Sequence, residues 1–453
     1  MNLPADFTSF AQKFFKTEYD AFLQSLHEEP PTSIRINPFK ANQSDSLEKI
    51  PWAENGYYLV KRPSFTFDPL FHAGNYYVQE ASSMFVEQVM KQYVNDKAVR
   101  VLDACAAPGG KSTHLLSLLS EESLLVANEV IRQRVNILNE NTTKWGNSNV
   151  IVTSNDVSDF SRLKHFFDVV LVDAPCSGEG MFRKDKESAN HWSLKNVALC
   201  AERQQRILAN IWECLKPGGI LIYSTCTYNT TENEDNIQWL TSTFDAETLP
   251  VAMDAEWNIS TPIHPHCYRF FPHKTKGEGF FLCAVRKEEG ENAPPRRNKT
   301  TATTCKLPAN VKEWIYNADA YEVVQNENLR MIIPAFAYSD YQFIDKQLKI
   351  ISAGTSLAEV KGKDLAPTQS LVLSNALKKD SFEQVVVDWS TAIKYLQKEL
   401  VVLPENTPKG YILLLYKDMP LGFVKNIGNR ANNLYPQEWR IRTKTLPKSP
   451  EGE

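Results

Sequence analysis

The sequence predicts an α/β protein: a mostly parallel, doubly wound sheet, with a mixed α/β extension before it and a β-rich module after it. Three observations carry that prediction. Between residues 99 and 286, apolar β-rich runs alternate with segments of helical periodicity, the pattern of parallel strands joined by crossover helices. The stretch KEEGENAPPRRNKTTATTCK (287–306) is polar, contains Pro294-Pro295 and lacks apolar periodicity, so it reads as an exposed linker. The chain has 453 residues, 42% hydrophobic and 23% charged, which excludes collagen, coiled coil and wholesale disorder and suffices for about three domains.

Residues 1–98 form the extension, with IRINP (34–38) as a short strand and QEASSMFVEQVMKQYV (79–94) as a helix over the sheet. The sheet region, 99–286, opens with the strand VRVLDA, the helix KSTHLLSLLS, the strand LLVANE and the helix VIRQRVNILNENTTKW. VIVTS and FDVVLVDA follow as strands, ALCAERQQRILANIWECL as a long helix and GILIYST as the next strand. CYRFFP and GFFLCAVRK close the region as an antiparallel pair. Beyond the linker, in 307–453, LVLSNAL, QVVVDW, GYILLLYKDMPLGFVKNIG and WRIRT predict small β-rich modules. The sequence has no internal repeat.

Composition narrows the function classes. The formal net charge is only −4, so bulk charge does not announce a polyanion binder. Its distribution is uneven: residues 1–286 carry 27 basic and 34 acidic side chains, whereas 287–453 carry 23 and 20, which favours the second part for polyanion contacts. A chain ending near Arg286 is therefore expected to keep small-ligand binding and lose affinity for a polyanion. The N-terminus lacks the basic flank and apolar core of a signal peptide, and no apolar run approaches about 18 residues, so a cytoplasmic protein without membrane contact is expected. Eight scattered cysteines with no CxxC disfavour a disulfide framework, a zinc ribbon or a thioredoxin-like site; an important cysteine should act as a thiol.

VLDACAAPGGKSTHLL (101–116) runs from an apolar strand through a tight turn into a helix, where backbone N–H groups and the helix dipole favour an anionic ligand group. GGKS invites a P-loop NTPase reading, with Asp173 in VVLVDAP (169–175) as the magnesium ligand. That motif needs Gly five positions before Gly110, where this chain has Cys105, so the phosphate cradle fails. The dinucleotide fingerprint GxGxxG is also absent, which leaves S-adenosylmethionine as the remaining common occupant of such a turn. Glu129, Asp156 and Asp173 each follow a strand, and ligands of open α/β sheets sit outside the carboxyl ends of strands. Glu129 suits ribose hydroxyls and Asp156 the adenine amino group; each alone also reads as a helix N-cap or surface acid.

DAPC (173–176) and STC (224–226) follow neighbouring strands, so Cys176 and Cys226 fall on adjacent carboxyl ends of one sheet. Cys200, Cys214, Cys267 and Cys283 lie inside helix or strand patterns and read as small buried apolar residues. A thiol has a chemical reason to be there. Cytosine C5 is a poor nucleophile until a thiolate adds to C6 and makes C5 enamine-like, able to attack the methyl of a sulfonium cofactor. The C5 proton must then leave and the thiol be eliminated. Asp173 can stabilise a proton at N3 of the base. Methylation of an exocyclic amine, with its [ND]PP[YF] loop, is disfavoured because Cys176 stands where the aromatic belongs.

CAAPGGKS, DAPCSGEGMF and STCTYN, with PTSIRINP and HAGNYYVQEASSM upstream, resemble the motifs of the Sun-type (NOL/NOP/Sun) RNA cytosine-5 methyltransferases, particularly the RsmF/YebU branch acting on small-subunit (16S) ribosomal RNA. The resemblance covers residues 25 to 286 and extends to the C-terminal arrangement. It implies a Rossmann-like S-adenosylmethionine methyltransferase domain, an N-terminal RNA-binding extension and a C-terminal PUA-like module. It implies Cys226 as nucleophile and Cys176 as helper in release, the reverse of DNA cytosine-5 enzymes. It also implies cofactor contacts from Cys105, Ala106, Ala107, Pro108, Gly109, Gly110, Lys111, Glu129, Asp156 and Asp173. The implied partner is ribosomal RNA or the 30S subunit, probed in its decoding region by a monomer.

Three further clusters invite functions. His264, His266 and Cys267 stand together, but HPHC lacks the second ligand pair of a zinc site, and no metal is expected. Arg183, Lys184 and Lys186 follow the DAPC turn and suit RNA phosphates near a flipped base, or simply a solvated loop. From Lys425 to Lys448 six basic residues and one acid interleave with Tyr435 and Trp439, a composition suited to folded RNA. A non-catalytic ribosome-assembly factor on a methyltransferase scaffold is the alternative outside enzymes; intact Cys176, Cys226 and Asp173 argue against it.

Overall fold

Runs such as VVLV are apolar at successive positions, as strands covered on both faces require, and they build the centre of the molecule. In the computed structural model the described residues are 3–41, 43–44, 46–261, 264–288, 290, 305–362, 364–443 and 445; residues 289 and 291–304, most of the predicted linker, lie outside them. The central sheet comprises β1 (Arg100–Asp103), β2 (Leu124–Asn128), β3 (Val150–Thr153), β4 (Phe167–Asp173), β5 (Leu215–Thr225), β6 (Ala246–Leu249), β7 (Cys267–Phe270), β8 (Phe280–Lys287) and β9 (Ile350–Ala353). Its order is β6-β8-β5-β4-β1-β2-β3-β9, with β7 paired to β8. The five strands from β5 to β3 are mutually parallel, and β6, β7, β8 and β9 run antiparallel to their neighbours. The crossovers include the helices α1 (Gly110–Leu118), α2 (Arg132–Trp145) and α3 (Leu194–Trp212), with α4 (Glu234–Thr243) after β5.

Side chains alternate across the sheet with the strand period of two. Leu102, Val126, Ile151 and Val170 meet Ile207, Leu208 and Ile211 of α3 on one face. Val101, Leu125, Val150 and Val169 meet Leu115 of α1 and Met84, Phe85, Val86 and Val89 on the other. The last four belong to the predicted helix over the sheet, which forms as a 3-10 turn (Ser82–Phe85) running into an α-helix (Val86–Tyr93).

The extension carries a four-stranded sheet in which Thr32–Ile36, the IRINP strand, is paired on both sides. Before it, the helix Ala5–Phe15 places Phe7, Ala11 and Phe15 on one face at helical spacing and buries them with Phe22 against Phe182, Trp192 and Tyr228.

The segment after the linker does not stand apart from the sheet. β9 pairs antiparallel with β3, and Met331, Ile333, Tyr341, Ile344 and Leu348 join the core beside Phe166 and Phe167. Further on, Glu383–Val386, Gly410–Tyr416, Met419–Asn426 and Ala431–Asn433 form a separate four-stranded sheet, as two of the predicted β runs require. Two other β expectations fail. LVLSNAL begins inside the helix Gln369–Leu373, started by the Thr368 hydroxyl accepting from Leu371 N; a short apolar run has no period to separate a buried helix from a strand. WRIRT forms no strand, and Ile441 alone of it is buried. Among the described residues no helix is long and apolar enough to cross a membrane.

Candidate active site

β1 ends at Asp103, and the turn Cys105–Gly109 leads straight into α1. Gly109 has φ +112°, a left-handed conformation that favours glycine, and this lets the chain reverse into the helix. Neighbouring elements hold the turn by its backbone: Ala106 N donates to Asn128 O (2.8 Å), Arg134 Nη2 to Ala107 O (2.6 Å) and Asn141 Nδ2 to Pro108 O (2.8 Å). From the extension, Arg35 reaches across and donates to Thr113 Oγ1 (2.6 Å) and Ser117 Oγ (3.1 Å) while lying 4.2 Å over the Trp145 ring. Burial lowers the Arg35 guanidinium to about 9.

Asp103 is fully buried: Oδ2 accepts from Ser112 Oγ (2.7 Å), and Oδ1 has no hydrogen-bond partner. Burial pushes its carboxyl up to about 7. Asp103, Asp173 and Glu129 all face Cys105, and burial together with their charges raises its thiol. Glu129 Oε1 accepts from Ile131 N (2.9 Å), and Oε2 lies 3.3 Å from Arg134 Nη1. Asp156 is exposed and serves as the N-cap of a 3-10 helix, accepting from Ser158 N (3.0 Å) and Ser158 Oγ (2.8 Å); those bonds lower its pKa. The turn, Asp103, Glu129 and Asp173 therefore converge around Cys105, and Asp156 lies exposed after the next strand, β3.

Asp173, at the end of β4, accepts from Ser224 Oγ (2.7 Å) and pairs with Lys111 Nζ (2.8 Å). Burial works against the Lys111 ammonium, but the Asp173 carboxylate holds its pKa above the ordinary lysine value, and its charge also faces Cys226. Cys176 and Cys226 follow β4 and β5, and because these strands are hydrogen-bonded neighbours the two sulfurs come within 3.2 Å. Both are half-buried. The hydrogen bond shared with Cys226, and then burial, hold Cys176 as a neutral thiol.

Sequence reasoning missed the residues that join the two thiol loops. Glu179, buried, accepts from Tyr228 N (2.7 Å) and Asn229 N (2.9 Å), and Glu232, buried, accepts from Ser177 N (3.0 Å). Their only sequence signal is the Glu of GEGMF and the polar run after STC. Arg183 is also placed differently from expectation. It is buried, donates to Glu278 Oε1 (3.0 Å), Gly277 O (2.7 Å) and Ser25 O (3.3 Å), and is not free for phosphate. Lys184 lies 4.0 Å from the same carboxylate, and the Lys186 side chain is outside the described residues. Cys267 lies in the core opposite Cys283, and no group of three metal-ligating side chains occurs among the described residues. Tyr435 is buried against Tyr395 and is a core residue, not a stacking surface, whereas Trp439 is half-buried and packs against the same core from its margin.

The residues fit S-adenosylmethionine: a helix N-terminus for a carboxylate, an orphaned buried acceptor on Asp103 for a donor, and a further carboxylate, Glu129, at the next strand end. Comparison with known proteins agrees with that cofactor. The family model of the 16S rRNA methyltransferase RsmB/F matches residues 90–286, the N-terminal domain of 16S rRNA methyltransferase RsmF matches 3–81, and the methyltransferase RsmF PUA domain matches 383–441. The ribosomal RNA small subunit methyltransferase F of Aeromonas salmonicida is 31% identical over 92% of this chain and 93% of its own length. That of Aliivibrio fischeri is 30% identical over the same shares. Among solved structures, a methyltransferase homolog protein from Pyrococcus horikoshii is 29% identical with TM-score 0.53, covering 61% of this chain and 93% of that one. NSun6 from the same organism, solved with SFG, shares the fold at 20% identity and TM-score 0.55, covering 63% and 99%. Matched in this way along nine-tenths of its length, and carrying the paired thiols on adjacent strand ends, the chain belongs to the family of the 16S rRNA methyltransferases RsmB/F, in the group of the ribosomal RNA small subunit methyltransferases F.

Proposed function

We propose that this protein is a cytoplasmic enzyme that methylates C5 of a cytosine in small-subunit ribosomal RNA through a covalent adduct between Cys226 and C6. The observation that carries this reading is the pair of thiols 3.2 Å apart, beside the Asp173–Lys111 ion pair. S-adenosylmethionine, held by the turn Cys105–Lys111 with Asp103 and Glu129, supplies an electrophilic methyl group when bound.

The chain's own residues do the rest. Cys226 adds through sulfur to C6, and the displaced π pair makes C5 nucleophilic. Asp173, kept in place by Ser224 and Lys111, stabilises the proton at N3 that this addition calls for. After methyl transfer C5 still carries a hydrogen that must leave as a proton before the C6–S bond breaks. Water accepts that proton, and Cys176, in contact with Cys226, assists departure of the Cys226 sulfur as the C6–S bond breaks. Half-burial of both sulfurs restricts water at the adduct.

The test is a denaturing gel shift with labelled ribosomal RNA. Cys226→Ala should abolish methylation and any covalent complex. Cys176→Ala should accumulate a denaturation-resistant complex, because it removes the neutral thiol that can donate to the departing Cys226 sulfur, and a positioned acid or base is typically worth about 10² to 10⁴ in rate. The complex should vanish in the double variant. A complex formed only by Cys226→Ala would reverse the roles of the thiols, and bisulfite mapping that showed no protein-dependent 5-methylcytosine would refute the reaction.

A further inference from the structure

Glu179 and Glu232 are both buried to the last percent of their surface, and no lysine, arginine or histidine lies within 4 Å of either among the described residues. Two buried carboxylates without a counter-ion are costly, and stability alone would favour apolar side chains of similar volume. N–H donors take the place of cations. Glu179 Oε2 accepts from Tyr228 N (2.7 Å) and Asn229 N (2.9 Å), and Oε1 from Trp192 Nε1 (3.0 Å) and Asn229 Nδ2 (2.8 Å). Glu232 Oε2 accepts from Ser177 N (3.0 Å) and Gln204 Nε2 (2.8 Å), and Oε1 from Asn229 Nδ2 (2.8 Å). One amide thus bridges both carboxylates.

The sequence positions of these donors give the arrangement its meaning. Glu179 belongs to the loop of Cys176 and grips the backbone just after Cys226. Glu232 follows Cys226 and grips the backbone just after Cys176. The two loops are tied crosswise, and Ser177 Oγ to Thr227 Oγ1 (3.0 Å) and Gly180 N to Cys226 O (2.9 Å) add further ties. Gly180 allows the last approach, since a Cβ there would sit 2.9 Å from Cys226 O and 2.5 Å from Gly279 O.

We infer that Glu179 and Glu232 are positioning residues for methyl transfer: a carboxylate–amide clamp that fixes the separation of the Cys176 and Cys226 sulfurs. The inference rests on both thiols serving one reaction, and the arsenical arm of its test is independent of that reaction.

Phenylarsine oxide bridges two thiols held close together: two S–As bonds form, and the oxide oxygen leaves with both thiol protons as water. Cys176 and Cys226 are reachable, whereas the other adjacent pair, Cys267 and Cys283, is buried. Glu179→Gln keeps shape but turns an NH₂ group toward N–H donors that need an acceptor. Arsenical capture by this variant, mapped by mass spectrometry, should slow at least about tenfold, and kcat should fall about 10²-fold, the scale of a 1 Å misplacement. S-adenosylmethionine affinity and KM for RNA should stay near wild type. Glu232→Gln can keep its acceptor toward Ser177 and should lose less. If Glu179→Gln does not fold, Asn229→Ala, which removes the bridging amide and leaves both carboxylates, should slow capture and kcat in the same direction. Wild-type capture and kcat in either folded variant would overturn the clamp. Slowed capture in a variant whose RNA adduct never formed in the wild type would instead sustain the clamp and refute the thiol chemistry.

Discussion

Gly109 and Asp103 show how single residues set the turn between β1 and α1. Any side chain at Gly109 must adopt φ +112°, and its Cβ would lie 3.3 Å from that of Asn141. Gly109→Val should therefore weaken S-adenosylmethionine binding by at least about tenfold, with the strain of a β-branched residue at positive φ as the cause. Asp156→Ala should also weaken it, because the adenine amino group loses its acceptor. Asp103 carries the pH dependence. Its folded pKa is raised to about 7, so a cofactor donor that needs the ionised form binds fully above that pH and progressively less below it. Affinity should fall toward tenfold per pH unit between about pH 6.5 and 5.5, and Asp103→Asn should flatten the profile. Calorimetric titrations across that range decide; a flat wild-type profile removes Asp103 from the site. Much of this site was legible in sequence because strand ends announce themselves: Asp173, Cys176, Cys226 and Lys111 each follow or abut a readable apolar run. Asp103, Glu179, Glu232 and Arg35 were not read, because their meaning lies in burial and in partners 9 to 82 residues away.

Element by element, the sequence was most readable where periodicity was long. The helix Leu194–Trp212 and the strand Phe167–Asp173 formed as their patterns require, whereas the five-residue helix Gln369–Leu373 was read as β because it is too short to show a period. The first helix shows what pattern alone leaves out. Ala5–Phe15 is plainly amphipathic, yet nothing in it says which surface it covers. In the fold Phe7 meets Phe182 at 5.0 Å and Trp192 at 5.5 Å, and Trp192 Nε1 donates to Glu179. The element thus packs behind the thiol loops. Phe7→Ala should cost about 3–5 kcal/mol of stability in denaturant unfolding, the usual range for a buried Phe. It should also lower methyl transfer at temperatures where the variant remains folded, while S-adenosylmethionine affinity holds. Equal loss of both would show that the helix supports the whole domain and not the thiol loops in particular.

At the scale of the molecule, charge and composition suggested a catalytic part ending near Arg286 and a separable remainder, and the fold argues for a different division. β9 comes from beyond the linker, yet it covers the edge of β3, where Ser154 N donates to Lys349 O (3.1 Å), Gly354 N to Val150 O (2.9 Å) and Lys349 N to Asn155 Oδ1 (2.8 Å). Asn155 in turn is tied to Asn128 at the end of β2, which holds the turn between β1 and α1 through Ala106. A chain ending at Arg286 would strip this edge of its partner and remove Met331, Ile333, Tyr341 and Ile344 from the core. Hydrophobic periodicity could not reveal this, because ISA is a short strand whose partner lies some two hundred residues earlier. The truncated chain should therefore aggregate or unfold at lower temperature than the full chain and bind S-adenosylmethionine weakly. A chain ending at Ser381 keeps β9 and removes the sheet that begins at Glu383 together with the helix Trp389–Leu396, which lies outside the central sheet. It should retain cofactor affinity while losing ribosomal RNA affinity, with the salt dependence of the remaining binding reduced as phosphate contacts are lost. Calorimetry with the cofactor and filter binding with RNA at two salt concentrations separate the outcomes. Full cofactor affinity in the chain ending at Arg286 would restore the simpler division, and undiminished RNA affinity in the chain ending at Ser381 would place RNA recognition in the catalytic part and the N-terminal extension.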